Sequence, residues 1–124
     1  MDFKRADRVG DQVRAELADI ILRKMRDPRV GFVTITKVEL SDDLKNAKVF
    51  VSVLGDQKQK KDSLKGLRSA VHFIRGELGR RLKLRYMPEL VFVLDESIEK
   101  GARMLDILRK LEEEEEGKGG SPDE

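Results

Sequence analysis

The chain has 124 residues, no cysteine and one histidine, His72, which excludes a disulfide framework, a thiolate metal site, a thiol nucleophile and a His-pair metal centre. No apolar run approaches the roughly 18 residues of a membrane span, and the opening MDFKRADRVG lacks the apolar core of a signal peptide; the expectation is one soluble, cytoplasmic domain with no membrane partner. The net charge of +2 conceals an asymmetry: residues 112–124 carry seven acids and one lysine, whereas residues 1–111 carry 25 cations and 17 acids, a net +8 that favours a polyanionic partner.

In chain order, the first predicted element is a helix from Ala6 onward, with Val9, Val13, Leu17, Ile20, Ile21 and Met25 on one side and Asp and Arg alternating on the other. Asp27-Pro28 ends it, because proline disfavours the α region for its predecessor, and Arg29-Val30-Gly31 turns the chain. Phe32 to Leu40 is rich in β-branched residues and predicts a strand. Its apolar phase slips between Ile35 and Val38, which predicts a bulge near Thr36-Lys37. After the polar turn Ser41 to Asn46, Ala47 to Leu54 sets Val49, Val51 and Val53 against Lys48, Phe50 and Ser52, a second strand and the hairpin partner of the first. Gly55 to Asp62, with Lys58, Lys60 and Lys61, reads as a mobile polar loop, with Asp62 or Ser63 capping the helical stretch behind it.

That stretch, Leu64 to Pro88, carries the functional signal. Leu64, Leu67, Val71, Ile74, Leu78 and Leu82 form the buried stripe of an amphipathic helix, while Lys65, Arg68, Arg75, Arg80, Arg81, Lys83 and Arg85 set seven cations against one acid, Glu77. Gly66, Gly76 and Gly79 each cost a helix up to about 1 kcal/mol relative to alanine. Together with the small pair Ser69-Ala70 they suggest that something bulky and anionic approaches the backbone. Phe73 falls out of phase with the stripe, so a break at Ser69 to His72 is expected, with Phe73 and Ile74 both turned inward beyond it; a single basic surface helix is the alternative. Glu89 to Asp95 is a third strand, and Ser97 caps a last helix marked by Ile98, Ala102, Leu105, Leu108 and Leu111. The remainder, EEEEEGKGGSPDE, is expected to be an acidic disordered tail, which leaves residues 1–111 as the binding domain.

The order α-β-β-α-kink-α-β plus a C-terminal helix describes an α+β domain whose three-stranded sheet packs against helices. It is the order of a type II KH domain, an RNA-binding module in which a turn between two helices clamps phosphates. A literal G-x-x-G occurs at Gly76-Glu77-Leu78-Gly79, but Leu78 belongs to the buried stripe and Glu77 has the wrong sign for phosphate. The turn is better placed at Ser69 to His72.

A more specific likeness spans nearly all of residues 4–111. Asp27-Pro28-Arg29-Val30-Gly31-Phe32-Val33-Thr34-Ile35, then Val38-Glu39-Leu40-Ser41-Asp42-Asp43-Leu44 leading into Ala47-Lys48-Val49, then Phe73-Ile74-Arg75 with Leu78-Gly79, and finally Leu82-Lys83-Leu84-Arg85 with Pro88-Glu89-Leu90, resemble the bacterial ribosome-binding factor A family. The resemblance implies a KH-like fold in which a kink at an alanine, Ala70 here, replaces the glycine clamp. Many members have glycine where this chain has His72. The resemblance further implies a non-enzymatic, monomeric assembly factor. It would bind the free small (30S) ribosomal subunit and its 16S rRNA during late maturation, including 5′-end processing, with a role in cold adaptation. It implies no cofactor, metal or small-molecule substrate.

From the residues themselves, Arg75, Arg80, Arg81, Lys83 and Arg85 are candidate phosphate contacts, because few acids neighbour them, and Ser69, Ala70 and His72 are the candidate kink contacts. Arg5 and Arg8 alternate with Asp7 and Asp11, so both phosphate contact and helix ion pairs stand open for them. Tyr86 is either a base-stacking platform or a core residue ahead of Pro88. Asp42-Asp43 lacks the carboxylate spacing of a calcium loop. A generic single-strand binder is the second reading, disfavoured because one tyrosine and five phenylalanines, most at core positions, leave few stacking platforms. A nuclease or other hydrolase is the third, and no paired acid–base constellation adjoins the basic stretch.

Overall fold

The apolar stripe of the first segment folds as α1, Asp2–Lys24, with Val13, Leu17, Ile20 and Ile21 buried and Val9 and Met25 packed partly against them. The computed structural model describes residues 2–25 and 30–119, so the predicted stop at Asp27-Pro28 lies outside the described residues. The β-branched segments form β1, Val33–Leu40, and β2, Asn46–Val53, an antiparallel hairpin in which Val38 faces Val49 and Leu40 faces Ala47. Their register shifts between Ile35 and Lys37. The extra residue is Thr36, which places the bulge where the apolar phase slips. Beyond it Lys37 and Phe50 share the outer face while Val38 returns to the inner one.

The chain then forms α2, Gln57–Ser69, and α3, Val71–Arg81, and returns as β3, Glu89–Leu94, parallel to β2. The sheet order is β1-β2-β3. One face carries Ile35, Ala47, Val49, Val51, Leu90 and Phe92 into a core shared with α1, Leu67 of α2, and Ile74 and Leu78 of α3. Burying each of these larger side chains contributes about 1.5–3 kcal/mol. α1 lies so close over β1 that a Cβ at Gly10 would sit 3.1 Å from the Val38 carbonyl oxygen. A Cβ there would require the helix or the strand to give by a few tenths of an ångström.

Two expectations are corrected here. The lysine-rich segment after Gly55 is not a loop, and neither Asp62 nor Ser63 is the cap. Asp56 caps α2, its carboxylate accepting from the Gln59 N–H at 2.8 Å while the Gln59 side chain accepts from the Asp56 N–H at 2.7 Å. This reciprocal capping box satisfies two backbone donors at once and starts the helix nearly two turns earlier. Lys60 is thereby turned inward, 4% exposed, with its ammonium 3.2 Å from Glu96 and 2.6 Å from Glu99. Ser63, also buried, accepts from the Gly31 N–H at 3.1 Å.

The second correction concerns the end of the chain. The last helix, α4, runs Ser97–Gly119 and continues through the glutamate run, where the composition suggested disorder. Glutamate is a good helix former, and extending an existing helix adds one hydrogen bond per residue fixed, so the run propagates what Ser97 starts. Residues 120–124 lie outside the described residues. Apolar Ile98, Leu105, Leu108 and Leu111 of α4 all remain at least 48% exposed, so this helix does not cover the core.

Among the described residues, the contacts that hold α4 to the domain lie at its start. Lys60 grips Glu96 and Glu99, and the Asp95 carboxylate accepts from Thr36 Oγ1 at 2.6 Å and from the Ser97 N–H at 2.9 Å. These bonds, that of Thr36 first, hold Asp95 down from 3.8 to about 2. A depressed carboxylate stabilises the fold above its unfolded pKa, and that contribution disappears as pH falls through the folded one. The Asp95 contribution is therefore expected intact above about pH 4 and lost between about pH 4 and pH 2. Acid titrations followed by circular dichroism should show that segment of the curve flattened in Asp95→Asn.

Candidate nucleic-acid interface

The break between helices falls at Ala70, as the phase of Phe73 suggests. Ala70 adopts φ −94° and ψ 7°, its N–H is shared between the Gly66 and Leu67 carbonyls at 3.1 Å each, and its own carbonyl accepts from Ile74 at 2.9 Å. A residue in the bridge region with a bifurcated bond ends one helix and opens the next without a loop. Ser69 and His72 flank the joint and are exposed, while the Ala70 methyl packs partly against the core. Ile74 is fully buried but Phe73 is 45% exposed, so the kink does not turn both inward. The step from Phe73 to Ile74 is about 100°, so with Ile74 at the centre of the buried face Phe73 falls at its margin.

Gly76-Glu77-Leu78-Gly79 lies inside α3 and forms no turn. Of the three glycines expected to admit a bulky partner, Gly66 is buried and Gly79 lies against Met87, where a Cβ would be 3.6 Å from its side chain. Gly76 is exposed, with nothing within 4 Å of where a Cβ would stand. Gly76→Ala is thus expected to stabilise the domain by up to about 1 kcal/mol, read as a rise in melting temperature.

The cations divide by what holds them. Arg75 points along the sheet edge, donating from Nε to the Pro88 carbonyl and from Nη2 to the Met87 carbonyl, each at 3.1 Å, with Glu89 at 3.6 Å. Arg81 bridges α3 to α1 through Asp19 at 2.6 Å and Glu16 at 3.2 Å. That pairing holds the Asp19 carboxyl below the usual carboxylate range and raises the Arg81 guanidinium. Both arginines are fastening the fold. Arg80 pairs with Glu77 but stays largely exposed, and Glu77 is lowered by that contact. Lys83 and Arg85 are exposed in the Leu82–Pro88 connection, and Arg5 and Arg8 are exposed on α1.

Two clusters result, one at each end of α3. Ser69, Ala70 and His72 sit at its start. Arg80, Lys83 and Arg85 sit at or beyond its end, roughly 15 Å away at 1.5 Å per residue. The second cluster gains Arg5, which lines one cleft with Arg85, Lys45 and Tyr86. Sequence pattern does not reveal that meeting of residues 5, 45 and 85. Tyr86 is 68% exposed with the Arg85 guanidinium 5.5 Å from its ring centre, so it is not a core residue. Phe32 is 80% exposed, and Phe50 is partly buried on the outer sheet face with the Lys37 and Lys48 ammonium groups 5.9 and 6.0 Å from its ring. Only Phe92 among the described phenylalanine side chains is buried, which removes the shortage of stacking surfaces inferred from the sequence.

Among the described residues no group of His, Asp or Glu is arranged to hold a metal ion, and no helix is long and apolar enough to cross a membrane. The family model for ribosome-binding factor A matches residues 5–108. The chain belongs to the ribosome-binding factor A family. A ribosome-binding factor A from Halothermothrix orenii is 49% identical over 116 residues, 94% of this chain and 95% of that protein. One from Desulfitobacterium hafniense is 50% identical over 112 residues, 90% of each. The crystal structure of ribosome-binding factor A from Thermus thermophilus superposes with a TM-score of 0.67 at 26% identity, covering 74% of this chain and 97% of that one. A homology model of the Thermus thermophilus ribosome-binding factor A, as fitted into the cryo-electron microscopy map of a 30S complex, gives 0.63 at 26% identity, covering 73% and 96%.

Proposed function

We propose that this chain is a non-enzymatic ribosome assembly factor with a KH-like domain. It binds the free small subunit, with 16S rRNA as the polyanion its basic surface meets. The observation that carries the reading is the continuous helix–Ala70–helix unit in a member of this family, with an exposed cationic cluster at the end of α3. The likeness to a factor fitted on a 30S subunit supports the same partner. Late maturation, 5′-end processing of 16S rRNA and a role in cold growth extend the reading along the family resemblance, as do action as a monomer and a cytoplasmic location. Residues 1–111 are the binding unit in this proposal, and α4 beyond Leu111 is an acidic extension of it.

Sedimentation of a lysate tests the reading. Co-migration with free small subunits, and not with complete ribosomes, is the expected result. A chain that follows RNA of every size favours the single-strand binder instead, and one that stays at the top of the gradient overturns the subunit-binding reading.

A further inference from the structure

The Ser41–Asn46 turn and the Leu82–Pro88 connection face each other across a cleft of about 350 Å³. That is the small end of the range for ligand pockets, about 300–1,000 Å³. It suits one planar group and excludes a helix. Apolar Leu40, Leu44 and Leu84 line it, Tyr86 stands at its edge, and Arg5, Lys45 and Arg85 are its cations. Leu44 has a φ of 61°, the only non-glycine residue in the left-handed region among the described residues. A bulky aliphatic side chain rarely adopts that conformation, and such outliers gather where a ligand is clamped.

The two acids of the cleft are not equivalent. Asp43 is turned back on its own loop, accepting from Ser41 Oγ at 2.6 Å and from the Lys45 N–H at 3.0 Å. Asp42 also lines the cleft and is exposed, so the site combines an apolar wall, an aromatic face, an acceptor and three cations. A bare phosphate would meet Asp42 with like charge. A nucleobase offers what this lining recognises: π faces for Tyr86 and the aliphatic wall, N–H groups for Asp42, and an attached phosphate for the arginines and Lys45.

We propose that this cleft receives one unpaired nucleotide of the bound RNA, its base stacked on Tyr86 and its phosphate held by Arg5, Lys45 and Arg85. The proposal rests on the RNA-binding reading above and adds a base-sized subsite to it.

Tyr86 is the only tyrosine and the chain has no tryptophan, so its emission reports on this cleft alone. The full-length protein is titrated with a single-stranded ribonucleotide hexamer and, separately, with an abasic ribose-phosphate hexamer. Binding is followed by anisotropy of the labelled strand. The expected result is quenching of Tyr86 that saturates with hexamer binding and is absent with the abasic strand. Because Tyr86 is exposed, Tyr86→Leu and Tyr86→Phe should both melt like the wild type. Tyr86→Leu should then weaken hexamer binding about tenfold, and Tyr86→Phe less than about twofold. Binding without a change in emission, equal quenching by the abasic strand, wild-type affinity in Tyr86→Leu, or no hexamer binding overturns the proposal. Co-sedimentation with small subunits separates the two readings: retained co-sedimentation with a silent Tyr86 removes the cleft alone, and loss of both removes the RNA reading as well.

Discussion

Ala70→Leu is expected to destabilise the domain by about 1–3 kcal/mol through overpacking, and to weaken binding to the small subunit as well. The methyl of Ala70 is partly buried against the core at the one point where α2 and α3 meet without a loop. Its N–H is shared by two carbonyls of α2 and its own carbonyl starts the α3 ladder, so the backbone cannot shift to admit a larger side chain without losing bonds on both sides. Leucine must therefore push on Leu67 or Val71, or splay the helices and move Ser69 and His72. Ala70→Gly removes only the methyl and should cost about 1 kcal/mol or less, with binding retained. Thermal melting and subunit co-sedimentation of the two variants decide the matter. Wild-type melting and binding in Ala70→Leu would show that the small residue at the joint is incidental.

The fold was legible wherever one periodicity ran uninterrupted. The stripe of α1, the alternation of β2 and the phase slip at Thr36 each report a buried face directly, because a side chain's direction follows from its residue's position in a regular element. The joint at Ala70 was legible for the same reason, through the misfit of Phe73, although the fate of Phe73 itself was not. What periodicity cannot report is a polar residue drawn inward by a distant partner. Lys60 reads as one more loop lysine until Glu96 and Glu99 are brought to it from more than thirty residues away. Asp56 and Gln59 are a capping pair whose signature was present in the sequence, but the lysine-rich composition around them obscured it.

The site was legible in composition and less so in detail. The seven cations of residues 64–88 do mark a basic stretch, yet charge alone cannot separate an arginine that fastens the fold from one that waits for a partner. Arg81 finds its acids on α1 and Arg75 finds carbonyls at the start of β3, contacts with no trace in local sequence. Arg5, conversely, lies far along the chain from Arg85 and lines the same cleft.

That division makes the largest expected effect on binding a specific one. With about four phosphate contacts, log K should fall against log salt with a slope between about −2.8 for single-stranded RNA and −3.6 for a duplex-like charge density. Affinity then drops roughly 50- to 150-fold between 50 and 200 mM salt. Lys83→Ala with Arg85→Ala removes two exposed cations and should flatten the slope by about 1.4 to 1.8 without lowering the melting temperature. Arg75→Ala with Arg81→Ala removes the same formal charge, but these two are held by the Met87 and Pro88 carbonyls and by Asp19 and Glu16. That pair should lower the melting temperature and leave the slope close to the wild type. Ending the chain at Leu111 removes seven acids and one lysine, and should tighten non-specific RNA binding at low salt by withdrawing a competing polyanion. Because α4 is exposed from Gly101 through Glu116, that truncation should barely change the melting temperature. Salt titrations of all four proteins against one rRNA fragment distinguish the roles. A slope that flattens for Arg75 with Arg81, and holds for Lys83 with Arg85, would exchange the fastening and contacting arginines and move the RNA face to the sheet edge at β3.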